Sequence, residues 1–207
     1  MVIGADDGEG ASSVAASLAL LLGGRSSRST WLIDLDLFGS PQYFAFQNHA
    51  FSHVGRPGRA YDASLNVKPF FQVVPELRTQ NGNTQQRRKY LGVHQIESTR
   101  LYVSRFRTEL VRDGQNVQFN SNPDYWRALR KVADWTVVDA PALEFSRGAL
   151  AIARQMDGVI CVVRTDDTPV DRITALRTEI EAHGGHCLGV VVNGVKADAR
   201  FADRIAL

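Results

Sequence analysis

Four short, continuously apolar runs constrain this chain more than anything else in it. They are Val2-Ile-Gly4, Thr30-Trp-Leu-Ile-Asp-Leu-Asp36, Trp135-Thr-Val-Val-Asp-Ala-Pro141 and Gly158-Val-Ile-Cys-Val-Val163, and Leu188-Gly-Val-Val-Val-Asn193 repeats the pattern a fifth time. Continuous rather than alternating apolar character is what strands of a parallel sheet show when both faces are covered. Helical segments lie between them. Ser12 to Leu22 follows the first run, and Asp124 to Val132 follows Asn122-Pro123, with Trp126 and Leu129 spaced for one face. A third opens at Thr168-Pro169, keeps Val170, Ile173, Leu176 and Ile180 at helical spacing, and ends at Gly184-Gly185. Strand and helix in alternation predict an α/β fold, a mostly parallel central sheet with helices on both faces.

The first strand and first helix are joined by Ala5-Asp-Asp-Gly-Glu-Gly-Ala-Ser-Ser13. A glycine-rich turn running into a helix gathers backbone N–H groups around one point, where an anion fits. The phosphate-binding version of that turn ends Gly-Lys-Ser/Thr, its ammonium following the β/γ-phosphates and its hydroxyl holding Mg²⁺. Here Ser12 keeps the hydroxyl and Ala11 replaces the lysine. The structural alternative is an ordinary turn with acids at a helix start. For Asp34, Asp36 and Asp139 the alternative is strand-end capping; for Asn193-Gly194 it is a plain turn pair. Period two would put Asp34 and Asp36 on one strand face.

The order Gly-Glu-Gly-x-Ser, Leu-Ile-Asp-x-Asp, Val-Val-Asp-x-Pro, Asp157-Gly-Val and Gly189-Val-Val-Val-Asn resembles the MinD/ParA-type P-loop proteins. Within them it looks most like the cytoplasmic domain of bacterial tyrosine autokinases of exopolysaccharide systems, the Wzc and CapB type. The resemblance covers residues 1 to about 41 and about 120 to 194. It implies that Gly8, Glu9, Gly10, Ala11, Ser12 and Ser13 surround the phosphates, with Asn193 near an adenine. It also implies that Ser12, Asp36 and Asp139 face Mg²⁺, Asp36 and Asp139 being vestigial catalytic acids. Departures accompany it: Ala11 at the lysine position, Asp6 where the MinD/ParA branch has a signature lysine, and an ending at Phe201 to Leu207 without the autokinases' tyrosine cluster. Losing such a cation costs roughly three to five orders of magnitude in phosphoryl-transfer rate, by comparison with arginine fingers. Weak Mg-ATP or Mg-ADP binding, or none, is therefore expected.

The implied role is that of an impaired regulator or scaffold in bacterial exopolysaccharide synthesis and export, of the capsule or holdfast kind. Its implied partners are a membrane polysaccharide co-polymerase or export component and a second copy of the chain. Two other readings stay open. One is an active ATPase or autokinase drawing its cation from Lys68, Arg147 or a neighbouring subunit. The other is a ParA-like nucleic-acid binder using Arg87, Arg88 and Lys89 with Arg78, Arg100, Arg105 and Arg107. Against that second reading stands the solvated basic face, which needs no ligand; docking to an acidic protein surface or anionic headgroups is the preferred use of Arg87, Arg88 and Lys89.

With 207 residues, 44% of them hydrophobic, the chain can bury one good core, so a single domain is expected, with 43–120 as a divergent middle segment. There Ser52 to Leu65 reads as an exposed loop, Asn66 to Val74 as a strand broken by Pro69, and Arg78 to Lys89 as a flexible basic loop. Arg100 to Glu109 alternates and pairs with Gln115 to Phe119 across Gly114, a hairpin. A net charge of +2 marks no particular partner. Cys161 and Cys187 lack Cys-x-x-Cys spacing and read as inert core thiols, and the histidines lack metal-ligand spacing. No apolar run reaches membrane-spanning length, which predicts a cytoplasmic protein, peripheral to the membrane if its partner is there.

Overall fold

The computed structural model describes residues 1–48, 50–75, 89–143, 148–165 and 168–194. In chain order the strands are β1 (Val2–Gly4), β2 (Thr30–Asp34), β3 (Pro57–Asp62), β4 (Phe71–Val74), β5 (Leu91–Ile96), β6 (Leu101–Phe106), β7 (Asn116–Phe119), β8 (Trp135–Ala140), β9 (Val159–Arg164) and β10 (Cys187–Asn193). The helices are α1 (Ala11–Arg25), α2 (Pro41–Asn48), α3 (Asp124–Val132), α4 (Gly148–Ala153) and α5 (Val170–Ala182). An eight-stranded sheet runs β10-β9-β1-β8-β2-β6-β5-β3. From β10 to β6 every pairing is parallel, and β5 and β3 add antiparallel strands at the far edge.

Two-residue periodicity divides the apolar runs between two cores, as a strand buried on both faces requires. Val2, Leu32, Val137 and Val162 face one cluster, closed by Ala15, Ala16 and Ala19 of α1 and by Phe46 of α2. Ile3, Ile33, Val138 and Cys161 face the other, closed by Leu129 of α3, Leu150 of α4 and Ile180 of α5. Small residues on α1 bring its backbone close to the sheet; a Cβ at Gly23 would already meet Leu101 at 3.5 Å. The α/β sandwich read from the sequence is therefore present.

The middle segment departs from its sequence reading. Within Ser52 to Leu65 lies β3, an edge strand that tolerates Pro57 because it lies at the strand's start, at the sheet's outer rim. Phe71 to Val74 alone forms the strand expected over Asn66 to Val74. β6 is a hairpin strand, but its partner is β5, and its other edge joins β2. β7 pairs instead with β4 in a separate two-stranded ribbon. Alternation reveals a strand; it does not name the neighbour. The basic loop expected over Arg78 to Lys89 lies, except for Lys89, outside the described residues.

At the opposite edge β10 differs from the buried strand expected of its sequence: Leu188 is 61% and Val192 54% exposed. A continuous apolar run does not distinguish a central strand from an edge one. On α5, Leu176 and Ile180 are buried while Val170 is exposed. Gly184, at φ 76°, and Gly185 end that helix by donating to Glu181 O and Ile180 O. Among the described residues no helix is long and apolar enough to cross a membrane.

Candidate phosphate-loop site

β1 lies between β8 and β9, so its C-terminal end opens where ligands of open α/β sheets sit. There the chain turns through Gly8 (φ 76°) and Gly10 (φ 84°), left-handed conformations that favour glycine, and enters α1 with Gly10 as N-cap. Val14 N–H donates to Gly10 O at 3.0 Å, closing the first helical turn. The N–H groups of Ala11, Ser12 and Ser13 precede any intrahelical acceptor, which is the donor set an anion uses. Residues 5–13 thus link a central strand to a helix, as the loop motif requires.

Three contacts from the β9–α5–β10 side hold this loop. Glu9 is buried; one carboxylate oxygen accepts from Asp6 N–H at 3.0 Å and the other receives the Thr168 hydroxyl. Asn193 Nδ2 donates to Glu9 O at 2.8 Å. Arg172 of α5 forms an ion pair with Asp6. Thr168 and Arg172 were invisible as loop partners in the sequence, where they read only as the start of a helix.

Below the loop lies a pair of buried acids. Asp34, the last residue of β2, pairs in register with Asp139 of β8, and both are 3% exposed. Gln42 of α2 ties them together: its N–H donates to Asp34 Oδ2 at 2.9 Å, and its Nε2 donates to Asp139 Oδ2 at 2.7 Å and to Ser12 O at 2.8 Å. The Ser12 hydroxyl also faces the Asp139 carboxylate. Burial, reinforced by the charge of Asp139, pushes Asp34 well above the usual carboxylate range. Burial likewise raises Asp139 to about 6, against hydrogen bonds from Gln42 and Ser12 that pull the other way.

Asp36 departs from the expectation that it shares a strand face with Asp34. β2 ends at Asp34, and Asp36 is exposed in the turn beyond, its Oδ1 accepting from Gly39 N–H at 2.8 Å. That turn is driven by the short side chain's capacity to bond backbone a few residues on. Of the residues named for Mg²⁺, Ser12 and Asp139 come together and Asp36 is turned to its own loop. Among the described residues no group of three or more His, Cys, Asp or Glu is placed to hold a metal ion.

A cleft of about 740 Å³ joins these parts, bounded by the loop, by Asp34 to Phe38, by Asp139 to Ala142, and by Val117 and Phe119 of the ribbon. Six carboxylates line it, those of Asp6, Asp7, Glu9, Asp34, Asp36 and Asp139, and among the described residues no Lys, Arg or His does. The cleft therefore sets the backbone amides of the loop against acidic side chains.

Elsewhere, Arg87 and Arg88 lie outside the described residues, as does Arg147, while Lys89 pairs with Asp62 at 2.6 Å. Arg105 is engaged by Glu109 and lies over the Tyr43 ring. Cys161 and Cys187 are both free, yet the fold brings their sulfurs to 3.7 Å; burial pushes the Cys161 thiol up to about 12.

No family model and no curated protein matches the sequence. Solved structures do match the fold. The kinase domain of VpsO superimposes with a TM-score of 0.58 at 18% identity, over 94% of this chain and 83% of that one. The kinase domain of the Escherichia coli tyrosine kinase ETK gives 0.54 at 16%, over 96% and 68%. MinD in the MinC:MinD cell division complex of Aquifex aeolicus gives 0.53 at 14%, over 98% and 70%. A central parallel sheet, a glycine-rich loop leading into α1 and these superpositions together show that the chain has the MinD/ParA-type P-loop fold, in the form shared by bacterial tyrosine kinase domains.

Proposed function

We propose that this protein is a P-loop domain impaired in phosphoryl transfer, acting as a regulator or scaffold in bacterial exopolysaccharide synthesis and export, of the capsule or holdfast kind. The observation that carries the impairment is the cleft itself: a phosphate loop with Ala11 at its cation position, facing six carboxylates. Phosphoryl transfer depends on positive charge around the transferred group, and this cleft supplies the opposite sign. Mg-ATP or Mg-ADP would rest on the amides of Gly8 to Ser13 with Ser12 and Asp139 nearest the metal, and binds weakly or not at all. The exopolysaccharide assignment is supported by the fold shared with the VpsO and ETK kinase domains and by the order of motifs in the sequence. The partner this reading calls for is a membrane polysaccharide co-polymerase or export component, with Arg87, Arg88 and Lys89 as its docking residues and the domain peripheral to the membrane.

A second reading, an active ATPase with a substituted cation, is favoured by one contact. Arg172 reaches Asp6 beside the loop, although Asp6 already takes its charge. The test for both is ATP turnover and phosphotyrosine formation by the purified chain, with Ala11→Lys as the positive control. Turnover in the unmodified protein that disappears in Arg172→Ala would replace the first reading with the second.

A further inference from the structure

The cleft beside the phosphate loop has two unlike walls. One is acidic, with Asp7, Asp36 and Asp139. The other is apolar: Phe38 in the turn after β2, Val117 and Phe119 of the β4–β7 ribbon, and Pro141 after β8. Phe38 is 58% exposed. The acidic wall also holds an unmet acceptor. Asp139 is 3% exposed, Gln42 satisfies its Oδ2, the Ser12 hydroxyl faces the carboxylate, and its Oδ1 has no hydrogen-bond partner among the described residues. Buried carboxylate oxygens are rarely left so.

What fits such a cleft is a cationic donor on an aliphatic stem, next to something large and apolar. A bare divalent ion leaves the apolar wall uncovered and, among the described residues, finds no three-residue ligand group. A nucleotide meets carboxylates where it needs cations. An arginine presents several donors to carboxylates while its stem lies along apolar surface. Resting on the reading of a loop without its cation, we propose that this cleft docks a polypeptide segment of a partner protein, in which an arginine faces Asp36 and Asp139 and a neighbouring large apolar residue covers Phe38 and Phe119. The ribbon contributed by the middle segment would then serve as half of a protein-docking groove.

The test is fluorescence anisotropy with the full chain and a fluorescein-labelled hexapeptide of alternating arginine and leucine. Salt-dependent binding is expected, weakened about tenfold or more, about 1.4 kcal/mol, by Asp36→Asn and by Phe38→Ala. Asn at position 36 retains the acceptor for Gly39 N–H, and Phe38 is exposed, so both variants keep the fold. Equal binding of a glutamate–leucine hexapeptide, or indifference to Asp36→Asn, would overturn the proposal. Displacement by spermidine as readily as by unlabelled peptide would overturn its apolar half. Calorimetry with Mg-ATP on the same preparation separates the two levels: tight nucleotide binding removes the cation-deficient reading, whereas silence toward both nucleotide and peptide removes the docking proposal alone.

Discussion

Replacing Gly10 by alanine tests how the loop is held. Gly10 sits at φ 84° and ψ 21°, where a non-glycine residue costs roughly 1–2 kcal/mol. A Cβ there would also overlap the Asn193 amide nitrogen, which donates to Glu9 O. Moving Asn193 aside removes a hydrogen bond contributing about 1 kcal/mol. Together these give a loss of about 2–3 kcal/mol, or a fall in Tm of roughly 4–12 °C for a chain of this size. Thermal unfolding by circular dichroism would be run on Gly10→Ala, Asn193→Ala and the double variant. Asn193→Ala alone should cost about 1 kcal/mol. Because the double variant has no amide left to displace, it should lose less than the two single losses added. A Gly10→Ala protein melting within about 1 °C of the parent, or strictly additive losses, would refute both the strain and the strut.

Other outcomes follow from neighbouring contacts. Ala11→Lys should tighten Mg-ADP binding about 10- to 150-fold, the equivalent of roughly 1.5–3 kcal/mol for a charge-assisted contact, as read by calorimetry. Thr168→Val should leave a buried oxygen of Glu9 without its hydroxyl donor and cost about 1–3 kcal/mol in urea unfolding. Asp139 is raised in the folded chain from 3.8 to about 6, so the native state holds the extra proton and its contribution is full below about pH 4 and lost as pH rises past about 6. Two units at 1.36 kcal/mol each is on the order of 3 kcal/mol, so Asp139→Asn should gain stability relative to the parent between pH 4 and 7; a constant difference across that range would contradict the assignment. Thiol reagents followed by mass spectrometry should label the half-buried Cys187 before Cys161, whose thiol burial pushes up to about 12.

Opposing demands meet in the loop. Its backbone keeps the geometry of an anion cradle, yet the contacts that keep it there come from the protein: Arg172 on Asp6, Thr168 on Glu9, Asn193 on the Glu9 carbonyl. A loop braced in this way does not need a phosphate to hold its shape. This is the physical basis for expecting a folded loop whether or not nucleotide binds.

Much of the architecture was legible in the chain because it is local. Period two in Leu32-Ile33 and Val137-Val138 sends neighbours to opposite cores, the spacing of Leu176 and Ile180 places one helical face inward, and Gly8 and Gly10 stand where the turn needs positive φ. Residues within a few positions set such choices, so sequence alone determined β1, β2, β8, β9 and β10, the helices α1, α3 and α5, and the glycine-rich loop at the end of β1 with alanine at position 11. Partners and burial are different, being set by residues far along the chain. Only the tertiary structure put β6 beside β2, sent β7 to the ribbon, left β10 exposed at the rim, and joined Gln42 to Asp139 across 97 positions. The raised affinity of Asp34 and Asp139 for protons arises from that long-range packing, since desolvation depends on what surrounds a carboxylate in space rather than on what precedes it in sequence.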